Sequence, residues 1–223
     1  YRGLLVEKSD HQNYTNYLSA QIDNLEIWGT GSSDPMVPGA GLSTIEVNAS
    51  GARISNAHLE SNDAVGLQLY LIDSYSHFDN FTIIDTGKSG AGAHSAGVAI
   101  SASFFGAPFN DFEISGSPGP GIHTAAGGGM FGKNWYIHNN SEDGIFIERS
   151  TIVVDNFTTA HNVKSGAHVF DARFITFDNL TSHNNGEAGL YYLNSNDIES
   201  SSGDVACWNC TVVDNNQGAV SYT

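Results

Sequence analysis

Seven side chains of this 223-residue chain are of types that can do chemistry: His123, Glu148, Arg149, His168, Asp171, Arg173 and Tyr191. Together they supply what removal of a proton from a carbon beside a carboxylate demands: a base, a cation to neutralise the carboxylate and an acid for a leaving oxygen. A plainer reading stands beside this one. Glu148-Arg149 is the kind of neighbouring pair that forms a weak surface ion bridge. Deciding between them depends on whether the fold sets residues about 23 positions apart side by side.

A repeat makes that possible. Asn24, Asn56, Asn80, Asp111, Asn134, Asn156, Asn179 and Asn209 form a column with spacings of 32, 24, 31, 23, 22, 23 and 30. A base period near 23 with insertions of about eight is what a solenoid with occasional longer loops produces. After each comes Leu25, Ala57, Phe81, Phe112, Trp135, Phe157, Leu180 or Cys210, and two positions on Ile27, Leu59, Ile83, Ile114, Ile137, Thr159, Ser182 or Val212. Alternate residues of a strand share a face, so both columns are expected to fill an interior. Ile54, Phe78, Phe109, Val154 and Phe177, on a third, less regular strand before the Asn column, are expected to point the same way.

A glycine column, Gly66, Gly97, Gly121, Gly144, Gly166, Gly189 and Gly218, precedes a second apolar-x-apolar strand. Positive φ at these glycines is the expected reason for the residue type. The outward positions of the strand that follows read Gln68, Ala99, His123, Phe146, His168, Tyr191 and Val220, then Tyr70, Ser101, Ala125, Glu148, Phe170, Leu193 and Tyr222. A solvated face should be polar there. Tyr70, His123, Phe146, His168, Phe170, Tyr191, Leu193 and Tyr222 instead make a strip that calls for a sugar, a subunit or a covering loop.

Stretches such as Ile137-His-Asn-Asn-Ser-Glu-Asp-Gly-Ile145 and Ser182-His-Asn-Asn-Gly-Glu-Ala-Gly-Leu190 resemble the right-handed parallel β-helix repeats of pectin-lyase-like proteins, nearest in flavour to the repeat regions of mannuronan epimerases and alginate lyases. The resemblance implies an all-β solenoid of about eight coils with three short strands per coil. Residues 22–223 form it, and residues 1–21 are an N-terminal segment that could cap or cover it. It does not carry over an active site. The Asp-Pro-His motif of the epimerases and the aspartate pairs and Gly-His-Gly of polygalacturonases have no counterpart here, and one scaffold hosts many functions.

Several features have bland readings. The Asn column is expected to be a buried ladder, which leaves Asn13, Asn48 and Asn139 as the better glycosylation candidates. His138, His161 and His183, each before an Asn, are expected to line one edge of three coils. Aligned imidazoles could bind a transition metal, but no carboxylate column sits beside them, so a turn ladder is the reading and no metal is expected. The run Gly127–Gly129 lacks the Lys and helix of a phosphate loop and is read as a corner. Cys207 and Cys210 are a candidate disulfide in an oxidising compartment.

A net charge of −16, from 24 acidic and eight basic residues, excludes nucleic acid as a natural partner. It is compatible with a surface-bound divalent cation such as calcium and requires no other cofactor. No apolar stretch approaches 18 residues, so no membrane span is expected, and a chain beginning at Tyr1 reads as a mature or excised segment from outside the cell or at its surface. Neither end shows an amphipathic helix to cover strand edges. The leading expectation is therefore a non-catalytic extracellular solenoid with a structural, filament-forming or surface-adhesive role, contacting copies of itself or neighbouring surface proteins. The alternatives are a polysaccharide lyase or epimerase acting on acidic glycans through the seven residues above, and a carbohydrate-binding module without chemistry.

Overall fold

A computed structural model describes residues 4–7, 21–29, 43–48, 51–63, 65–70, 75–88, 95–101, 106–125, 129–172, 174–193, 204–218 and 220–222. Two all-parallel ladders run through it. A short-strand sheet stacks β1 (Leu4–Glu7), β3 (Ser43–Asn48), β5 (Val65–Tyr70), β7 (Val98–Ser101), β9 (Ile122–Ala125), β11 (Ile145–Glu148), β13 (Ala167–Phe170), β15 (Leu190–Leu193) and β18 (Val220–Tyr222) in that order. A long-strand sheet stacks β2 (Gln21–Trp28), β4 (Arg53–Glu60), β6 (His77–Ile84), β8 (Pro108–Ser115), β10 (Gly129–His138), β12 (Thr151–Ala160) and β14 (Phe174–His183), and then both β16 (Asp204–Trp208) and β17 (Thr211–Val213) pair with β14. The chain alternates between the sheets, so each coil lies on the one before it: a parallel β-helix.

Each complete long strand turns at the Asn column, where φ lies between 53° and 59°, so a coil has three straight segments. Asn and Asp tolerate this left-handed conformation because their short polar side chains bond locally. Coil-to-coil hydrogen bonds follow: Asn80 Nδ2 donates to Asn56 Oδ1 at 2.6 Å, Asn134 Nδ2 to Asp111 Oδ1 at 2.7 Å and Asn156 Nδ2 to Asn134 Oδ1 at 2.8 Å. This ladder is exposed on an outer corner, not buried as expected. Left-handed backbone, rather than burial, selects the residue type.

The buried polar ladder lies one corner further on. Asn140, Asn162 and Asn185 are each 2% exposed or less. Asn162 Nδ2 donates to Asn185 Oδ1 and to Thr159 Oγ1, both at 2.9 Å, while Asn162 Oδ1 accepts the backbone N–H of Asn140 at 3.1 Å and its Nδ2 at 2.9 Å. Asn185 repeats the pattern toward Asn215. These bonds satisfy the corner's buried donors, which would otherwise be costly.

The interior columns fall where the alternation placed them. Ala57, Phe81, Phe112, Trp135, Phe157 and Leu180 form one buried file, and Leu59, Ile83, Ile114, Ile137, Thr159 and Ser182 another. Phe78 stacks on Phe109 at 5.0 Å and Phe81 on Phe112 at 4.9 Å. In the next coil the position aligned with Phe109 is Gly132, and its missing side chain makes room for the indole of Trp135, whose Nε1 donates to Phe109 O at 2.8 Å.

The glycine column has a different cause from the expected one. Gly66, Gly97, Gly121, Gly144, Gly166 and Gly189 do not take positive φ; only Gly218 of the column does, at 102°. What they provide is a bare Cα. A Cβ on Gly66 would lie 2.6 Å from Ile83 Cγ2 and 2.7 Å from Gly97 O, and one on Gly97 would lie 2.5 Å from Ile114 Cγ2 and 2.9 Å from Gly121 O. The interior side chains of the long-strand sheet press directly onto this backbone. At Thr159 and Ser182 the contact becomes a hydrogen bond, from Oγ1 and Oγ to Gly166 O and Gly189 O at 3.1 Å each.

Leu4–Glu7, from the N-terminal segment, is part of the ladder: it pairs with β3 and does not lie across the sheet's outer face. Cys207 and Cys210 are joined by a disulfide with Cα atoms 5.9 Å apart. Among the described residues no helix is long and apolar enough to cross a membrane.

Candidate functional site

The outer face of the short-strand sheet carries the residues picked out by type. Register aligns Gln68, Ala99, His123, Phe146, His168 and Tyr191 in one file, with Glu148, Phe170 and Leu193 in the next. Four rings of the first file form a continuous ladder: centroids are 5.1 Å apart for His123–Phe146, 4.8 Å for Phe146–His168 and 4.7 Å for His168–Tyr191. Interplanar angles of 46°, 68° and 72° make these tilted and edge-to-face contacts, the arrangement aromatic quadrupoles favour.

The strip is narrower than the expected one. Gln68 and Ala99 are each 3% exposed, so the face is closed at that end; the Gln68 amide donates to the Tyr70 hydroxyl. His123 through Leu193 are half-buried. Tyr222 does not share the register of the strip: it aligns with Tyr192, an inward residue 4% exposed. The cause is the spacing of the last glycine: Gly218 lies nine residues after Asn209, where Gly121, Gly144, Gly166 and Gly189 lie ten after their Asn-column residue, and Gly218 O accepts the N–H of Gly189, the role Ala188 O plays for Gly166. More exposed large apolar groups lie elsewhere, among them Trp28, Tyr136, Phe174 and Trp208 on the long-strand sheet.

Of the acid–base candidates, His168 has a carboxylate beside its ring. Its Nδ1 lies 3.3 Å from Asp143 Oδ2, and Asp143 is held in turn by the Ser165 N–H, which donates to its Oδ1 at 2.9 Å. A buried carboxylate beside Nδ1 orients the ring, a relation common where imidazole acts as a base. Asp143 was not among the residues singled out by sequence. It sits in a turn and reaches His168 only across a coil boundary; the one cue was an acid at a place where neighbouring coils have Pro120, Ser165 and Ala188. Both ring nitrogens of His123 are buried away from solvent, and its ring packs against Phe146 in the ladder.

Arg149 and Asp171 occupy equivalent corners, with φ of 50° and 48°, and Arg149 Nε lies 4.0 Å from Asp171 Oδ2, whose side chain is 2% exposed. The neighbouring pair expected between Glu148 and Arg149 is therefore replaced by a pair across coils. Arg173 lies outside the described residues.

The three His-Asn histidines do not share a column. His138 and His183 align with Ala160 between them, while His161 falls one position later, at a left-handed corner with φ 56°. Among the described residues no group of three His, Cys, Asp or Glu is placed to hold a metal ion. Of the glycosylation candidates, Asn13 lies outside the described residues, Asn48 ends β3, and Asn139 is exposed with its Nδ2 2.7 Å from His138 Nδ1. The column residues Asn80, Asn156, Asn179 and Asn209 are equally exposed, so burial does not separate the two sets.

A family model described as right handed beta helix region matches residues 96–223. Among solved structures, a mutant of the periplasmic alginate epimerase AlgG aligns with a TM-score of 0.63 at 14% identity, over 80% of this chain and 44% of that one. The enzymatically active domain of bacteriophage CBA120 tailspike protein 2 aligns with a TM-score of 0.59 at 11% identity, over 89% and 34%. The chain thus spans less than half the length of either, and the likeness is one of fold. No curated protein sequence matches the chain.

Proposed function

The chain belongs to the right-handed β-helix family, and we propose that it is a polysaccharide-binding, surface-adhesive member acting outside the cytoplasm, with a glycan chain laid across Phe146, His168 and Tyr191. The observation that carries this is the ring ladder. Half-buried rings repeating every coil, about 4.8 Å apart, offer apolar edges and faces to the C–H surfaces of sugars, while Glu148 and the His168 ring supply hydrogen-bonding groups at their margin. The disulfide fits an oxidising compartment. Two proteins of like fold are named for an alginate epimerase and an enzymatically active tailspike, which is consistent with this kind of ligand.

The test is retention on a panel of immobilised glycans by wild type, Phe146→Ala and Tyr191→Ala. Each truncation should weaken binding roughly 2- to 12-fold, the worth of one aromatic contact. Retention unchanged by both, or no retention by wild type, would remove the reading.

A second reading, lyase or epimerase chemistry, is favoured by the Asp143–His168 pair. Here His168 Nε2 takes a proton and Tyr191, in the next coil, stands beside it. Incubation with alginate and pectate, followed by ultraviolet absorbance for unsaturated uronate and by proton NMR for C5 inversion, decides it. Silence in both rules that chemistry out on those polymers.

A further inference from the structure

We infer that the glycan held on the short-strand sheet is one without carboxylate or sulfate groups. The inference rests on the reading just given and adds the substrate class. The ring ladder is bordered by three carboxylates: that of half-buried Glu148, and those of Asp143 and Asp171, both buried, which face His168 and Arg149. Four cations lie between residues 122 and 193: Lys133, Arg149, Lys164 and Arg173. Lys133 is on the long-strand sheet. Lys164 is bridged to Glu142 at 3.2 Å, and Arg149 is engaged with Asp171 at 4.0 Å. Even with Arg173 added to Arg149, the three carboxylates outnumber the guanidiniums.

A polyuronate or sulfated chain laid over these rings would bring one anion per sugar to a border that is already negative, on a protein of net charge −16. Recognition of anionic polymers works the other way, through clustered Arg and Lys that neutralise them. A glycan bearing only hydroxyls meets no such opposition. Its C–H faces suit Phe146 and Tyr191, and the half-buried Glu148 carboxylate accepts hydrogen bonds from sugar hydroxyls.

The experiment is a glycan array carrying neutral, uronate-containing and sulfated glycans, probed with the intact labelled protein at about 20 mM and about 500 mM salt. Signal confined to neutral glycans, changing less than about twofold between the two salts, is the expected result. Signal on uronate or sulfated glycans at either salt, or neutral signal that collapses in high salt, overturns the inference while leaving the ring ladder as the binding face. Silence across the whole array removes the binding face itself, and the inference with it.

Discussion

The reason given for the glycine column is open to a direct test at Gly97. Gly97 does not take positive φ, so alanine can adopt its backbone without strain, and any loss of stability must come from the added methyl group. That methyl would lie 2.5 Å from Ile114 Cγ2, 2.9 Å from Gly121 O and 3.0 Å from Ser117 Oγ. Ile114 is fully buried and β-branched, and Gly121 O accepts the Val98 N–H at 2.9 Å, so neither can retreat freely. Overpacking of this kind costs about 1–3 kcal/mol. Ile114→Ala removes the struck methyl and by itself costs about 2–5 kcal/mol. If the clash is the cause, the double variant should be more stable than the sum of the singles by at least about 1 kcal/mol, because the two residues touch. Urea unfolding followed by far-ultraviolet circular dichroism measures all four proteins. Gly97→Ala within about 0.5 kcal/mol of wild type, or strict additivity in the double variant, would refute the close-approach account.

Three further outcomes follow from the geometry. Asn162→Ala strips the acceptor from two buried donors of Asn140 and should lose about 2–4 kcal/mol, whereas Asn156→Ala, on the exposed left-handed corner, should lose about 1–2 kcal/mol; equal midpoints in thermal unfolding would contradict the distinction between the two ladders. In the neutral ring of His168 the proton should sit on Nδ1 facing Asp143, and Asp143→Asn should weaken that preference, read from imidazole nitrogen shifts by NMR; an Nε2–H ring in wild type would deny Asp143 its orienting part. Reduction of Cys207–Cys210 frees a loop so short that its closure is worth about 2 kcal/mol or less. Hydrogen exchange should therefore quicken in β16 and β17 and stay unchanged in β10 and β12, since coils touch only their neighbours.

What was legible in the sequence were the quantities that repeat. Left-handed corners accept few residue types, so Asn24 to Asn209 recur visibly, and alternation alone sorts Phe81, Phe112 and Phe157 inward. Which side of a corner faces solvent is not a periodic property, and the Asn column was accordingly expected inside while the buried Asn140–Asn162–Asn185 ladder went unremarked. β3 lacks a column glycine, since Thr44 stands before Ile45 where Gly66 stands before Leu67, and was not recognised as part of the sheet. Counting Gly218 into the glycine column, although it lies nine rather than ten residues after Asn209, set the expected register of Tyr222 off by one from its alignment with Tyr192. At the site, the file His123–Phe146–His168–Tyr191 followed from counting. The Asp143–His168 contact and the Arg149–Asp171 pair did not, because turn and corner side chains choose partners across coils by direction, which spacing does not encode.

The uninterrupted order of strands in both ladders also sets how the molecule would yield to a pull along its axis. Tension applied at the outermost coil meets only the hydrogen bonds and packing that join it to the coil beneath, and no strand deeper in the stack shares the load. Failure would then run inward turn by turn, each event releasing a length of chain near 23 residues, roughly 80 Å when extended. An adhesive anchored at one end and holding its ligand along the side would in this way lengthen in steps under stress, with the rings of the coils still wound keeping their grip.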